Sequence, residues 1–509
     1  MSKLFIATIR IRHLCHTVGP SVILAILLPF ACSPTYQAAP IRPSRIILIS
    51  MDTVRADRVS GYGTAQTTPV LAEISQQGAL FRDFYAASTY TIPSHLSIFT
   101  GRDSTEVMLP SGKMRPDVVT LTELLAAEGY RTGAYHEGGY VSASFGFDRG
   151  FEEYIELPRI AVVGQSLDRV LGAMRAAKNQ PYFLFLHTYA AHFPYGGYER
   201  YRSEYPDRNL LSDDEIEYLH ELARDKKTGT TSRQTQTKIL FYNHLVTKNE
   251  DMIPMDRIKL PVEFVHSPHF ELDRQALLAS YDERIRLIDN AIGQIRATLI
   301  ELGQWEDTLL IILSDHGEAF FEHGLQQHAY IPFDEVLKVP LIISYPRVLK
   351  NASVRQIEGL TWHPDILPTI GGLVGFPLPQ PMTGMDLTQV LLGNEQIPKN
   401  RMIFPSVQEG LHKPPKPRKR TTLRDGLKHI QGHVDFGDEL GYLFDLRVDS
   451  EEMNNLREKH PSDFDAIANA AVRWSKTHTL NVEASRGDRP VHLSKDDHDK
   501  LRALGYIGN

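Results

Sequence analysis

The chain has 509 residues, enough for one large domain with a full hydrophobic core and a smaller companion domain. Its 55 Lys and Arg against 62 Asp and Glu give a net charge of −7, which excludes a general basic field that would recruit nucleic acid. The two cysteines, Cys15 and Cys32, both precede the predicted folded region. A disulfide framework, a thiolate zinc site and a thiol nucleophile are therefore excluded there.

The N-terminal residues 1–31 predict an export signal of the lipoprotein type. Basic residues precede an apolar run that, at about 14 residues, is too short to span a bilayer. The run ends at Ala31 directly before Cys32, which resembles a bacterial lipoprotein signal with Cys32 as the lipidated first residue. A plain cleaved signal and a retained anchor are the alternatives. Residues 32–44 then form a linker, and we expect a periplasmic or cell-surface protein held at the membrane by a lipid anchor at Cys32.

From residue 45 to 400 the pattern predicts one catalytic domain of the α/β class. Short apolar runs alternate with helix-like stretches, which is typical of a largely parallel sheet flanked by helices. The predicted strands are residues 46–49, 182–186, 309–313 and 340–343. Helices are predicted after Thr68-Pro69 and near Leu121, where capping residues precede apolar residues at helical spacing.

Two further segments differ in composition from this domain. Residues 199–267 are charged and polar, which predicts an insertion that is either a solvated surface excursion or a substrate-shaping lid. Residues 401–509 predict a small C-terminal α+β subdomain with short antiparallel strands over 423–456. A basic cluster within 413–420 could meet an anionic polymer or lipid head groups, or form a solvated loop.

Polar residues follow the predicted strands where each strand ends. Asp52 follows the first strand, His187 and His192 follow the second, and Asp315 and His316 follow the third. In open α/β sheets, ligands bind outside the carboxyl ends of the strands, so these groups can converge. Two carboxylates and an imidazole predict a site for one divalent metal ion. The imidazole favours zinc or manganese, while calcium and magnesium remain open.

Thr91 is the candidate nucleophile because of its position before a predicted helix. The stretch Thr91-Ile92-Pro93-Ser94-His95 opens that helix, and Gly101 ends it. A hydroxyl at a helix N-terminus lies in an anion site, and a nearby divalent metal lowers its pKa. His95, one turn into the helix, could contact the nucleophile or the transferred group.

Each of these residues also has a purely structural alternative. Asp52 could be a helix cap after a strand, and a Thr-x-Pro-Ser sequence is mostly a cap motif. His187, His192 or His328 alone is more often a satisfied core or surface residue than a ligand. Only the joint pattern favours a catalytic site.

Short motifs extend over nearly the whole chain after Arg45. They are Met51-Asp52-Thr53-Val54-Arg55-Ala56-Asp57, Thr91-Ile92-Pro93-Ser94-His95, Phe145-Gly146-Phe147-Asp148-Arg149-Gly150, Ser314-Asp315-His316-Gly317-Glu318 and Pro364-Asp365-Ile366-Leu367-Pro368-Thr369. Together they resemble the sulfatase family of the alkaline-phosphatase superfamily. The resemblance implies a central mixed sheet flanked by helices, and a metal-dependent ester hydrolase.

Site roles follow from the resemblance at the matching positions. The implied metal ligands are Asp52, Asp315, His316 and Thr91. Thr91 lies at the nucleophile position, His192 matches a histidine that assists the leaving group, and His328 falls where a Lys or His contacts the transferred group.

Several positions differ from the family pattern. Typical sulfatases have a Cys or Ser, converted to formylglycine, where Thr91 stands; an Arg where His95 stands; and a second metal-binding Asp where Thr53 stands. A Gly-Lys pair is missing near 136–137. A threonine ester has no second hydroxyl, so water must displace it at sulfur or phosphorus, and phosphorus tolerates that displacement better. Related phosphodiesterases and phosphoethanolamine transferases use Thr in this role.

The sequence therefore predicts a hydrolase of sulfate or phosphate esters outside the cytoplasm, with chemistry that favours phospho-esters. The substrate class is a small-molecule or glycan ester. The alternatives are a true sulfuric ester hydrolase, a phosphoethanolamine-type transferase acting on an envelope glycan or lipid, and a non-catalytic protein that binds anionic glycans.

Overall fold

The computed structural model describes residues 41–504, except 64, 160–162, 165, 178, 197–216, 218–267, 329, 350–355, 408–419, 433–439 and 479–486. The predicted signal, Cys32 and nearly all of the predicted insertion lie outside the described residues. No helix within these described ranges is long and apolar enough to cross a membrane.

A mixed sheet forms the centre of the fold. Within the described residues its strands are β1 Arg45–Met51, β2 Ala79–Tyr85, β3 Arg131–His136, β4 Glu153–Glu156, β5 Tyr182–Thr188, β6 Thr308–Leu313, β9 Leu341–Ser344 and β10 Gln356–Trp362. A two-stranded ribbon and a smaller sheet add β7 Ala319–Phe320, β8 Gln326–Gln327, β11 Met402–Ile403, β12 Thr421–Arg424, β13 Leu427–Ile430 and β14 Tyr442–Asp445.

The order across the central sheet is β10-β2-β9-β6-β1-β5-β3-β4. Strand β9 is antiparallel to β2 and β6, and the other pairs are parallel. The predicted α/β class and mixed sheet are confirmed. Strands β6, β1 and β5 are adjacent and in register, so their carboxyl ends lie together at the middle of one edge.

Helices cover both faces of this sheet. Those of four residues or more in the described ranges are α1 Pro69–Gln76, α2 Thr91–Thr100, α3 Ser104–Val107, α4 Leu121–Ala127, α5 Leu167–Ala176, α6 Pro268–Glu301, α7 Asp334–Leu337, α8 Pro346–Leu349, α9 Ile366–Val374, α10 Thr388–Leu391, α11 Pro461–Thr477 and α12 Lys495–Ala503. The predicted starts of α1 and α4 are confirmed: Pro69 is the first residue of α1, and Thr120 and Glu123 form a capping box on α4.

The apolar residues of β1 alternate between two cores. Ile46 and Leu48 pack into the core on the α2 side of the sheet, and Ile47 and Ile49 pack into the core under α6. This alternation follows from the two-residue period of a strand. By the same alternation, the side chains that follow Ile46 and Leu48 on the α2 side are the polar residues Ser50 and then Asp52. The polar end of β1 therefore faces the N-terminal part of α2, where the Ser50 hydroxyl lies 3.0 Å from His95 Nε2.

The predicted short antiparallel strands are observed in the small sheet β11-β12-β13-β14. Buried ion pairs tie this sheet to the central domain. Lys428 Nζ lies 2.6 Å from Asp334 Oδ1 and 2.7 Å from Glu452 Oε1. Arg420 Nη1 lies 2.7 Å from Asp103 Oδ2, and both side chains are 2% exposed. Arg420 is therefore not the solvated cation of a basic loop; the cluster's other residues lie outside the described ranges.

Candidate active site

Three neighbouring strands deliver the polar residues of the site to one place. Asp52 directly follows β1. His187 is the second-last residue of β5, and Asp315 is the second residue after β6. The N-terminus of α2 places Thr91 above them. All four side chains are 0% exposed, so the sheet edge carries a buried polar cluster as the sequence predicted.

Each of the two carboxylates is held by one oxygen only. Asp315 Oδ1 accepts hydrogen bonds from the backbone N–H groups of Thr53 at 3.2 Å and His316 at 2.9 Å. Asp52 Oδ2 lies 3.3 Å from Nε2 of His187. The remaining oxygens, Asp52 Oδ1 and Asp315 Oδ2, have no hydrogen-bond partner in the described part of the chain. Since buried polar atoms are almost always paired, these two oxygens need a further partner.

The imidazole of His316 joins the carboxylates to Thr91. Its Nδ1–H donates to the carbonyl of Gly317 at 3.0 Å, which leaves Nε2 with a lone pair. That Nε2 lies 3.5 Å from Asp315 Oδ2 and 3.3 Å from the Thr91 hydroxyl. A histidine oriented by a backbone carbonyl in this way is typical of a metal ligand.

Burial acts on both aspartates, but their pKa values shift in opposite directions. Burial, reinforced by the charge of Asp315, raises the pKa of Asp52 well above its ordinary value. Burial also acts to raise the pKa of Asp315, but the imidazoles of His316, His95 and His187 outweigh it and lower this pKa. Asp52 therefore holds a proton more readily than Asp315, and a bound cation would favour its ionised form.

Burial lowers the pKa of several histidines around the cluster. Burial lowers the pKa of His316 to about 4. It lowers the pKa of His187 and His192 well below the ordinary value and that of His95 to a smaller extent. Neutral imidazoles offer the lone pairs that metal ions bind.

These residues fit a divalent metal ion. Ligand atoms of Asp52, Asp315 and His316 lie within 4.8 Å of one another. The two carboxylate oxygens that lack hydrogen bonds, among the residues described, belong to this set. A shell of two carboxylates and an imidazole suits zinc or manganese.

His95 contacts Thr91 through the backbone and not through the hydroxyl. Its Nδ1–H donates to the Thr91 carbonyl at 2.8 Å, and its Nε2 accepts from the Ser50 hydroxyl at 3.0 Å. The Nδ1 atom is 3.7 Å from Asp315 Oδ2. His95 therefore fixes the first turn of α2 against β1, next to the carboxylates.

A second group of residues faces the cluster from the segment after β6. Glu318 is 0% exposed; its Oε1 accepts from His328 Nδ1 at 2.9 Å and its Oε2 accepts from the Tyr195 hydroxyl at 3.0 Å. The His328 ring lies 4.2 Å from that of His316 and 5.3 Å from that of His192, between ring centroids. The carboxylate of Glu318 thereby orients His328 towards the cluster.

Arg159 forms hydrogen bonds with the backbone at His192 and Phe193. It donates to the carbonyl of His192 and, at 3.0 Å, to that of Phe193. Burial lowers the pKa of Arg159 to about 10, which leaves the guanidinium charged at neutral pH. The described structure thus brings together the residues that the sequence singled out for the site: Asp52, Thr91, His95, His187, His192, Asp315, His316 and His328.

Residues 44–376 match the model of the family described as Sulfatase. The chain belongs to the sulfatase family. It is 26% identical over 458 residues to the steryl-sulfatase of Rattus norvegicus, an alignment that covers 75% of this chain and 76% of that protein. As a family member, it is a hydrolase that acts on ester bonds.

Two solved structures share the fold of this sulfatase-family protein. One, in complex with its substrate D-glucosamine-2-N,6-O-disulfate, has a TM-score of 0.65 and 19% identity, covering 89% of this chain and all of that one. The other, a phosphonate monoester hydrolase of Agrobacterium radiobacter, has a TM-score of 0.61 and 18% identity, covering 86% and 96%. At these identities the likeness shows the fold alone.

Some residues of this sulfatase-family site were not assigned a role from the sequence. Glu318 was noted only as part of the motif around Asp315, and nothing in the sequence linked it to His328, ten positions later. Thr53 has a φ of 60°, and its hydroxyl donates to the Asp52 carbonyl at 2.7 Å. His187, which the sequence placed at the end of a buried strand, was given no role of its own.

Proposed function

We propose that this sulfatase-family protein hydrolyses sulfate or phosphate esters outside the cytoplasm, with Thr91 as the nucleophile and phospho-esters favoured. The observation that carries the proposal is the position of the Thr91 hydroxyl, 3.3 Å from His316 Nε2. His316 Nε2 in turn lies 3.5 Å from Asp315 Oδ2, a buried carboxylate oxygen that lacks a hydrogen bond in the described residues.

Asp52, Asp315, His316 and Thr91 would hold one divalent ion. When bound, it would lower the pKa of the Thr91 hydroxyl and offset the negative charge of the transferred group. The donor set favours zinc or manganese.

The protein's own residues supply the remaining steps. Thr91 Oγ1 forms a bond to phosphorus or sulfur as the bond to the leaving oxygen breaks, and the proton that Thr91 loses is passed to that leaving oxygen. The N-terminus of α2, with its partial positive charge, lies next to the transferred oxygens. Water then displaces Thr91, which regains its proton.

Two histidines can carry the protons of this reaction. His192 has its Nδ1–H fixed on the Phe193 carbonyl at 2.7 Å, which leaves Nε2 to serve the leaving oxygen. His328 Nδ1 lies 2.9 Å from Oε1 of the buried Glu318, which orients the imidazole for proton transfer. His95 positions Thr91 through its hydrogen bond to the Thr91 carbonyl.

The preference for phosphorus follows from Thr91 itself. A threonine ester cannot collapse to an aldehyde, so its release depends on displacement by water, which phosphorus tolerates better than sulfur.

A sulfuric ester hydrolase is the second candidate. The names of the relatives favour it, among them an N-acetylglucosamine-6-O-sulfatase of Bacteroides thetaiotaomicron that is 22% identical. A sulfated glycan would be the substrate class in that case.

Assays of nitrophenyl phosphate, bis-nitrophenyl phosphate and nitrophenyl sulfate with added zinc or manganese test the proposal. We expect phospho-ester turnover that is abolished in Thr91→Ala and retained in Thr100→Ala, a matched change at the other end of α2. Thr91-dependent sulfate release without phosphate release would select the second candidate. Turnover that survives in Thr91→Ala would contradict both.

A further inference from the structure

Two guanidinium groups lie beside the candidate active site and hold the backbone of one short segment, residues 192–195. Arg159 Nη2 donates to the three consecutive carbonyls of residues 192–194. Arg284 Nε, on α6, donates to the next carbonyl, that of Tyr195, at 2.6 Å. Because these four carbonyls follow one another along the chain, the two cations lie close together.

Neither guanidinium is paired with a carboxylate in the described part of the chain. The contacts of Arg159 and Arg284 there are with carbonyl oxygens, and the buried Nε of Arg159 has no hydrogen-bond partner. By contrast, Arg58 forms an ion pair with Asp282, which lies two residues before Arg284 on α6. Since buried cations are usually paired, these two arginines need an anion that the described residues do not supply.

The charges of the two arginines act on each other. Burial lowers the pKa of Arg159 to about 10; the carboxylate of Glu137 opposes this shift, and the charge of Arg284 adds to it. Burial also lowers the pKa of Arg284, and the carboxylate of Glu283 opposes that shift. Guanidinium groups stay charged at neutral pH despite such shifts. Two cations in this arrangement repel each other, and a bound anion would remove that cost.

The pair lies on the side of the site from which the leaving group departs. His192, which is proposed to serve the leaving oxygen, has its carbonyl bonded to Arg159. Burial, then His328 and then the charge of Arg159 lower the pKa of His192, so the guanidinium is near that imidazole. Both arginine side chains are half-buried, whereas the candidate metal ligands are fully buried. An anion bound here would therefore be part of the leaving group.

We propose that Arg159 and Arg284 form a subsite for a second oxyanion, a carboxylate, sulfate or phosphate, carried on the leaving group of the substrate. Guanidinium groups bind such oxyanions through charge-assisted and often bidentate hydrogen bonds. The subsite rests on the proposed function, which places the scissile ester beside Thr91. It selects polyanionic esters over esters of neutral alcohols, whether phosphate or sulfate is the group transferred.

Aryl esters that differ by one charge on the leaving group test this subsite. Carboxylated phenyl and biphenyl phosphates are compared with their neutral methyl esters, and the two lengths cover a short and a long reach. The same phenols are also prepared as sulfate esters. With added zinc or manganese, we expect kcat/KM to be roughly 10–100-fold higher for the carboxylated ester, the size of a hydrogen bond to a charged group. Sulfonated and phosphorylated analogues then rank the three oxyanions.

Substitutions of the arginines should remove this preference. Arg284→Gln and Arg159→Gln should each lower the ratio of kcat/KM for the charged and neutral esters by about 10-fold. Arg58→Gln is the matched control, because that arginine already has Asp282 as its partner, and the ratio should not change. Damage to the fold or to catalysis lowers kcat/KM for both esters alike, so only the ratio reports on the subsite.

Calorimetric binding of the same two esters to Thr91→Ala measures the preference without turnover. Tighter binding of the carboxylated ester that is lost when Arg284→Gln is added supports the subsite. Equal binding of the two esters, or a preference that both arginine substitutions leave unchanged, overturns the subsite and leaves the proposed function intact. Turnover that survives in Thr91→Ala, or turnover of none of the esters, overturns the proposed function, and the binding preference still decides the subsite.

Discussion

Asp52 and Asp103 are both buried aspartates, near opposite ends of α2, and their surroundings differ. Asp103 accepts hydrogen bonds from Arg420 at 2.7 Å, Trp474 Nε1 at 2.8 Å and the Thr105 N–H at 2.9 Å. Burial acts to raise the pKa of Asp103, but Arg420 and these donors outweigh it and lower it. The pKa of Asp52 is raised instead, and one of its oxygens has no protein partner among the described residues.

This difference separates a structural carboxylate from a functional one. The carboxylate of Asp103 has its hydrogen-bond partners within the protein, and its contact with Arg420 joins the C-terminal sheet to the central domain. Asp52 lacks a hydrogen-bond partner for one oxygen among the described residues and lies beside a second carboxylate, Asp315. Burying such a pair of carboxylates lowers the free energy of unfolding unless a bound cation supplies positive charge. Substitutions at the two positions should therefore change different properties.

The largest effect is expected from Asp52→Asn. Loss of the bound ion removes several kcal/mol of transition-state stabilisation, so turnover should fall by at least about 10³-fold. The same change removes the repulsion with Asp315, so the free energy of unfolding of the metal-free protein should not decrease. Steady-state kinetics and denaturant unfolding in chelator check both. A marked loss of metal-free stability would place Asp52 with Asp103 instead.

Asp103→Ala should act on stability and spare catalysis. It leaves Arg420 buried without its partner, which typically costs about 3–5 kcal/mol. Urea unfolding gives the free energy, and kcat of the folded fraction should stay close to that of the unchanged protein. If kcat fell with no loss of stability, the contrast between the two aspartates would be wrong.

Glu318→Gln tests whether Glu318 positions His328. Removal of the carboxylate should lower kcat by about 10²-fold, the usual contribution of a positioned acid or base, and should shift the pH profile. Tyr195→Phe removes the hydrogen bond to Glu318 but leaves its carboxylate in place, and serves as the milder comparison. An unchanged pH profile in Glu318→Gln would remove His328 from the proton pathway.

The smallest effect is expected at His429 in the C-terminal sheet. Burial lowers its pKa to about 4 in the folded protein, whereas the unfolded chain has a value near 6.5. The unfolded state therefore binds the proton first. The contribution of His429 to stability is present above about pH 6.5 and falls by about 1.4 kcal/mol per pH unit towards pH 4. Unfolding free energies at pH 6.5 and 5.5 should differ less in His429→Gln, and an equal difference would contradict this pKa.

The sequence alone determined much of the fold and most of the candidate site. Apolar runs of strand length, helix caps and polar residues at strand ends predict the central sheet, α2 and the meeting of Asp52, Asp315 and His316. They succeed because these signals are local, and because parallel strands place their carboxyl ends at one edge.

Only the tertiary structure decided how these residues are paired. The contacts Glu318–His328, His187–Asp52 and Arg420–Asp103 join residues that no period or motif connects. Basic Arg420 looked like part of a solvated cluster, yet packing of the small sheet buries it against Asp103. Hydrogen bonding and charge compensation in a buried site depend on distances in space, and a linear pattern of residue types does not contain those distances.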